Sequence, residues 1–66
     1  MQLTINGESR DVPDAASVEA LLKHLALDPR AVVVELNRVI IRRRAIASTT
    51  LAEHDTVEIV HFVGGG

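Results

Sequence analysis

Three of the four glycines in this 66-residue sequence are its last residues, Gly64, Gly65 and Gly66. They follow an apolar segment, and no turn or helix end accounts for them. A segment without Cβ atoms is thin enough to thread through a narrow enzyme channel. A free carboxylate on Gly66 is ionised at neutral pH, and once activated as an acyl phosphate it accepts sulfur or an amine. The pattern predicts chemistry at a terminal carboxylate.

The alternative interpretation of this tail is an ordinary frayed terminus. A terminus without a function would favour polar and charged residues over a pure glycine run after a hydrophobic segment. A remnant of an expression vector is usually found at the other end of a chain, or contains Ser and His. The functional interpretation of the tail is therefore preferred.

The side chains form no predicted catalytic or metal-binding site that would compete with the terminal carboxylate. The histidines fall in different predicted elements and lack the i, i+4 spacing of a zinc-binding helix, so we expect surface or packing roles for His24, His54 and His61. The hydroxyl residues lack a nucleophile–base arrangement and are interpreted as caps and turn residues: Ser17, Ser48, Thr49 and Thr50. No catalytic side chain, metal site or cofactor is expected.

Composition excludes several classes of protein. A chain of 66 residues forms one domain at most, and the absence of Cys excludes a disulfide framework and thiolate metal sites. A net charge of −2 argues against nucleic acid and membrane surfaces as partners. The basic run Arg38, Arg42, Arg43 and Arg44 lacks aromatic residues to stack bases; it is either a solvated loop or a docking patch for an acidic partner. We expect a soluble, cytoplasmic protein with no membrane segment.

The opening segment is predicted to form a β-hairpin. Leu3 and Ile5 alternate with polar residues, as in a half-buried strand, and Asn6-Gly7 suits a two-residue type I′ turn. Residues 8–12 form the returning strand, and Pro13 ends its pairing because proline has no N–H to donate.

One helix follows this hairpin. Ser17 is a suitable N-cap, and Asp28-Pro29 is expected to end the helix, because proline disfavours helical geometry in the residue before it. The spacing i, i+3, i+4, i+7 predicts one apolar stripe made of Val18, Leu21, Leu22 and Leu25.

The second half of the chain is predicted to be mainly strand. Residues 32–36 are rich in β-branched side chains and form a central strand. A tight turn at Asn37-Arg38 leads to a short strand, residues 39–41. Residues 42–50 show no clear period and form a connection, and residues 56–62 form the last strand.

This order of elements predicts an α+β domain of residues 1–63 with a mixed sheet and one helix packed on one face. A right-handed crossover places the first and last strands side by side and parallel at the centre of the sheet. That is the β-grasp arrangement of ubiquitin-like domains. Residues 64–66 are expected to form a flexible tail.

The ending of the chain, Val-Glu-Ile-Val-His-Phe-Val-Gly-Gly-Gly, resembles that of the sulfur carrier proteins of thiamine biosynthesis. The chain length supports this resemblance, as do the Asn6-Gly7 turn, the helix start Ser17-Val18-Glu19-x-Leu21-Leu22 and the strand end Val34-x-Leu36-Asn37. Two turns depart from the family pattern: His54-Asp55 stands where Gly-Asp is frequent, and arginines stand where a proline is frequent near residues 42 and 43.

The resemblance implies a sulfur-transfer cycle in which the chain is a co-substrate and not an enzyme. An adenylating enzyme of the ubiquitin-activating type would join the Gly66 carboxylate to AMP. A sulfur donor, ultimately the persulfide of a cysteine desulfurase, would convert the adenylate to a thiocarboxylate. Thiazole synthase would then take the sulfur. Gly65 and Gly66 carry over from the family, and Gly64 extends the reach of the tail.

Three other functions stay open at this point. A sulfur carrier for molybdopterin also ends in Gly-Gly, although that family is usually longer and lacks the Val-Gly-Gly-Gly ending. A ubiquitin-like protein modifier would form isopeptide bonds through the same carboxylate. An interaction module with an incidental tail would use neither reaction.

The last strand also predicts a surface for partners. Because Glu58 needs water, Val57 and Ile59 should face the helix. Bulky apolar side chains on the opposite face are otherwise a liability. Unless a loop covers them, we predict a partner-docking surface beside the tail made of Val60, Phe62 and Val33.

Overall fold

The computed structural model describes residues 1–13 and 15–62. Buried apolar residues alternate along its first and last strands, and the i, i+3, i+4 stripe builds its helix. The elements are β1 (Gln2–Ile5), β2 (Glu8–Asp11), α1 (Val18–His24), β3 (Val32–Leu36), β4 (Val39–Ile41) and β5 (Thr56–His61). Two one-turn 3-10 helices, Pro29–Ala31 and Arg43–Ala45, lie in the connections.

The five strands form one sheet in the order β2-β1-β5-β3-β4. β1 and β5 are parallel, whereas each of the other neighbouring pairs is antiparallel. The sheet is therefore mixed, and the last strand lies at its centre beside the first. This confirms the predicted β-grasp arrangement.

Both hairpins close through two residues with positive φ. Asn6 has φ 49° and Gly7 has φ 83°, as a type I′ turn requires. Asn37 has φ 49° and Arg38 has φ 71°, so the second hairpin uses the same backbone signs without a glycine. Asparagine tolerates the left-handed region better than most residues, and both hairpins use it at the first of the two positions.

The helix begins as predicted but ends earlier. The Ser17 hydroxyl accepts a hydrogen bond from the Ala20 N–H at 3.1 Å. The prediction that Asp28-Pro29 ends the helix is wrong, because α1 ends at His24 and the chain turns back at Ala26, which has φ 59°. The N–H of Leu27 donates to the carbonyl of Leu22 at 2.9 Å, which is the hydrogen bond of a Schellman motif.

The core lies between the helix and one face of the sheet. Val18, Leu21 and Leu22 of the helix are fully buried. They belong to one cluster with residues from the strands and the connections: Leu3, Ile5, Val12, Ala15, Val32, Val34, Ile46, Leu51, Val57 and Ile59. Ile46 and Leu51 come from the segment around residues 42–50, where the sequence showed no period. In the described part of the chain, no helix is long and apolar enough to cross a membrane.

Candidate functional site

The predicted reactive tail lies outside the described residues. Gly64, Gly65 and Gly66, together with Val63, are not among them. Phe62 is the last described residue, and its N–H donates to the carbonyl of Ala31 at 2.9 Å. The chain is therefore hydrogen-bonded to the segment that precedes β3 as far as Phe62.

The strand that leads to the tail has a neighbour on each side. β5 pairs with β1 on one side and with β3 on the other. Val57 is fully buried and Ile59 is 7% exposed, both against the helix. The described segment that precedes the tail is therefore the central strand of the sheet, with its backbone paired on both sides.

The sheet face opposite the helix carries exposed apolar side chains. Val60 is 61% exposed and Phe62 is 53% exposed, while Val33, directly opposite Val60 in the register, is half-buried. Ile40 of β4 lies on this face too and is 63% exposed. The residues the structure describes place no element over this face. We call the four side chains Ile40, Val33, Val60 and Phe62 the open-face patch.

Ile40 is a patch residue that the sequence did not predict. Within the run Val39-Ile40-Ile41 each residue is apolar, so composition alone does not say which one faces away from the helix. The register decides it, because Ile40 lies opposite Glu35 whereas Val39 and Ile41 lie opposite Leu36 and Val34.

Two carboxylates interrupt the apolar patch. Glu35 of β3 and Glu58 of β5 lie directly opposite each other in the antiparallel register. Directly opposite side chains share a face, with Cβ atoms about 4.5–5.5 Å apart. Along these two strands, the neighbouring pair on the same face is Val33–Val60. Across the sheet, Ile40 of β4 lies opposite Glu35.

The basic run of the sequence does not form one cluster. Arg38 lies in the β3–β4 turn, and β4 separates it from Arg42, Arg43 and Arg44, so the two groups are at opposite ends of a three-residue strand. All four side chains are exposed. Arg43 Nη2 donates to the carbonyl of Arg30 at 3.5 Å, and the next carbonyl along the chain, that of Ala31, accepts from the Phe62 N–H.

The remaining polar candidates have local contacts. Thr49 Oγ1 donates to the Ala45 carbonyl at 2.6 Å and Ser48 Oγ to the same carbonyl at 3.4 Å. Among the described residues, no three His, Cys, Asp or Glu side chains lie close enough to hold a metal ion. His24, His54 and His61 lie on the helix end, a turn and β5, respectively.

A shallow cleft of about 240 Å³ lies on the helix side of the sheet. It brings together Arg10 and His61, which the sequence did not connect, above apolar side chains from β1, β5 and the end of the helix. Its other polar side chain, Asn6, is bonded to the backbone of Ile59. The residues that line the cleft include no Ser, Thr, Cys, Asp or Glu that could form a nucleophile–base pair with His61.

Comparison with known proteins covers nearly the whole chain. The model of the ThiS family matches residues 3–66. The sulfur carrier protein ThiS of Bacillus subtilis (strain 168) is 39% identical, with 97% of this chain and 98% of that protein aligned. A crystal structure of the thiamine biosynthesis protein (ThiS) from Geobacter metallireducens has a TM-score of 0.83 and 39% identity, and each chain is covered completely.

Two larger proteins are also similar to the whole chain. Thiazole synthase of Paramagnetospirillum magneticum is 44% identical over 66 residues, and that of Magnetococcus marinus is 36% identical. The chain spans 20% of the length of each of these two proteins.

Proposed function

Because the chain belongs to the ThiS family, we propose that it is a sulfur carrier for thiazole formation in thiamine biosynthesis. The observation that carries this proposal is the extent of the family match, which runs through the fold to Gly66. The described side chains offer no competing catalytic or metal-binding arrangement, so the chemistry is assigned to the terminal carboxylate.

The proposed cycle begins with activation of Gly66. Its carboxylate attacks the α-phosphorus of ATP on an adenylating enzyme of the ubiquitin-activating type, and pyrophosphate leaves. The terminal sulfur of a donor persulfide, formed by a cysteine desulfurase, then attacks the acyl carbon and AMP leaves. The product is an acyl disulfide, so a thiol must supply two electrons to break the S–S bond and release the thiocarboxylate. This chain contributes the carboxylate and no acid or base.

Thiazole synthase is the proposed acceptor of the sulfur. Proteins with that name contain a segment similar to this entire chain, which supports a direct contact between the carrier and that enzyme. The glycines fit the transfer because residues without Cβ atoms let the backbone pass through a narrow channel. Gly64 and Gly65 carry the channel contacts in this proposal, and Gly66 carries the sulfur.

The open-face patch is the proposed docking surface for these enzymes. Val60 and Phe62 belong to the segment that leads into the tail, so an enzyme that binds them holds the start of the tail at a fixed distance from its own active site. Exposed apolar groups of this size are costly unless a partner covers them. Holding the reacting carboxylate in place converts a bimolecular step into an effectively unimolecular one.

Intact-mass analysis tests the carrier function. The purified chain is incubated with ATP, cysteine, a cysteine desulfurase, a reducing thiol and the adenylating enzyme. Replacement of one carboxylate oxygen by sulfur adds about 16 Da, and the gain should require ATP. A chain with one residue added after Gly66 is the matched control and should gain nothing, as should a chain without Gly65 and Gly66.

Other outcomes identify the other functions. If the tail deletion supports thiazole formation as well as the full chain does, the carrier function is wrong. Adducts joined to lysine amines of other proteins would indicate a protein modifier. A thiocarboxylate that reacts with a molybdopterin precursor and not with thiazole synthase would indicate the related carrier.

A further inference from the structure

The charges on the open sheet face are all of one sign. Within the five strands, the charged side chains on the face opposite the helix are Asp11, Glu35 and Glu58, as the register places them. Arg10, the one Lys or Arg residue of these strands, lies opposite Leu3 and therefore on the helix side, and His61 of β5 lies on the same side, opposite buried Val32. Asp11 is paired with the N-terminal amine at 3.2 Å. Glu35 and Glu58 form no ion pair with any described residue.

The cross-strand pair Glu35 and Glu58 destabilises the folded state. Like charges directly opposite each other on neighbouring strands destabilise a sheet, and either a cation or a neutral residue at one of the two positions would relieve the repulsion. The other Lys and Arg residues of the chain lie outside the sheet strands: Lys23 is in the helix, and the rest are in or beside turns and 3-10 segments, such as Arg38 and Arg43. A destabilising pair of residues that nothing else in the fold compensates is typical of a functional position.

The apolar side chains around the pair show what would compensate it. Ile40 flanks Glu35 on one side, and the Val33–Val60 pair flanks both carboxylates on the next rung of the sheet. A partner that covers these side chains excludes water from the carboxylates, and a charge interaction strengthens as the local dielectric falls. Burial of two unpaired carboxylates would be prohibitive, so the partner has to supply a cation at this point.

We propose that the enzyme surface docking on the open-face patch inserts a basic side chain between Glu35 and Glu58. A guanidinium fits best, because its planar set of N–H donors can serve two carboxylates at once. This inference rests on the proposed carrier function, since it names the chemistry of the partner at the docking surface. In addition, the pair rejects incorrect partners: an apolar or acidic surface would bury the two charges without compensation.

Calorimetric binding to the adenylating enzyme and to thiazole synthase tests this inference. Glu35→Gln and Glu58→Gln each remove one charge and keep the shape of the side chain. We expect either change to weaken binding to at least one of the two enzymes about tenfold or more, while the thermal unfolding midpoint stays the same or rises. The affinity of the double variant should also depend less on salt.

Glu58→Lys gives the sharpest result. A lysine opposite Glu35 forms a cross-strand ion pair, so the unfolding midpoint should rise, while binding should fall further than with glutamine. Glu8→Gln is the matched control, because it removes the same charge from an exposed position of β2 that lies opposite Ile5 on the helix side. It should leave affinity within about twofold of the unmodified chain.

Three results would overturn the inference. One is binding of both glutamine variants with unchanged affinity to both enzymes. The second is an equal loss of affinity in Glu8→Gln, which would indicate a net-charge effect. The third is a fall in the unfolding midpoint of the glutamine variants, which would make the pair structural. Mass gain of the unmodified chain is measured separately, and its absence would contradict the carrier function, whatever the binding result.

Discussion

The side-chain amide of Asn6 forms two hydrogen bonds with the backbone of Ile59. Its Oδ1 accepts from the Ile59 N–H at 2.7 Å, and its Nδ2 donates to the Ile59 carbonyl at 3.2 Å. The N–H of Asn6 itself donates to the carbonyl of Val57 at 2.9 Å. The amide thus continues the β1–β5 pairing beyond the end of β1, and it holds the strand that leads to the tail.

Replacement of Asn6 by Gly should destabilise the domain by about 1–3 kcal/mol, because the N–H and carbonyl of Ile59 lose their partners in a partly buried place. Glycine is the informative substitution, since it adopts the positive φ of this position without strain. Urea unfolding followed by circular dichroism measures the change.

The control at this turn is the neighbouring residue. Gly7→Asn changes the turn at an open position, where an added Cβ meets nothing within 4 Å, and leaves the Asn6 amide in place. Its cost should be smaller than that of Asn6→Gly. Equal stability of Asn6→Gly and the unmodified chain would show that the two side-chain hydrogen bonds contribute nothing.

A second asparagine holds the other end of β5. Asn37 donates to the carboxylate of Asp55 at 3.1 Å, and its Oδ1 accepts from the N–H of Thr56 at 2.9 Å. Both type I′ turns therefore place an asparagine amide against the central strand. Local backbone preference in the sequence predicted the turns. It did not predict these contacts, because the bonded residues are 53 positions apart in the chain for Asn6 and 19 positions apart for Asn37.

The same distinction explains which parts of the fold were predictable. Strand alternation and the helical stripe are local patterns, and they identified the elements and the buried faces of Val57 and Ile59. The end of α1 depends on Leu27 packing back toward the core, and the burial of Ile46 depends on a connection that folds against the helix. Neither leaves a periodic signal. Ile40 needed the register of β4, which no local pattern provides.

Two valines with nearly equal exposure test the open-face patch. Val60 is 61% exposed on the open face, and Val39 is 63% exposed at the edge strand, opposite Leu36 on the helix side. Val60→Ser should weaken binding of the partner enzymes by about tenfold, because it removes an apolar contact from the docking surface. Val39→Ser should leave binding unchanged.

The two valine variants should have similar unfolding midpoints, since each removes an exposed β-branched side chain from a strand. Phe62→Ser is expected to weaken binding as well and to leave the fold intact. Surface plasmon resonance with immobilised adenylating enzyme measures the affinities. Equal affinities of Val60→Ser and Val39→Ser would contradict docking on the open face, and unfolding of Phe62→Ser would make that residue structural.

Asp28 provides a prediction about pH. The side-chain hydrogen bond from Arg30, followed by the bond from the Arg30 backbone N–H, lowers the pKa of the Asp28 carboxyl from its ordinary value of 3.8. The folded state therefore binds this proton less readily than the unfolded state does. The contribution of Asp28 to stability is present above pH 3.8 and is lost as the pH falls through the lower folded pKa.

Nuclear magnetic resonance titration of the Asp28 carboxyl carbon checks this direction. Its midpoint should lie below 3.8 in the unmodified chain and should rise in Arg30→Ala. The rise should be partial, because the backbone N–H of residue 30 still donates to the carboxylate, at 2.8 Å in this structure. Arg43→Ala is the control and should shift the midpoint less, since Arg43 acts on Asp28 only through its charge. An Asp28 midpoint unaffected by Arg30→Ala would contradict the assigned cause.

The turn after the helix offers a stabilising substitution. Ala26 has φ 59° at the position of the Schellman motif that glycine usually occupies. A residue with a Cβ is strained in this left-handed conformation, so Ala26→Gly should stabilise the domain by about 1 kcal/mol. The hydrogen bonds from the N–H groups of Ala26 and Leu27 to Lys23 and Leu22 remain.

Ala20→Gly is the matched control for that change, because it makes the same substitution inside α1. There glycine is expected to cost about 1 kcal/mol, since it is a poor helix former. Urea midpoints of the two variants should therefore move in opposite directions from that of the unmodified chain. If both variants lose stability, the backbone strain at Ala26 contributes less free energy than the added conformational entropy of glycine in the unfolded chain costs.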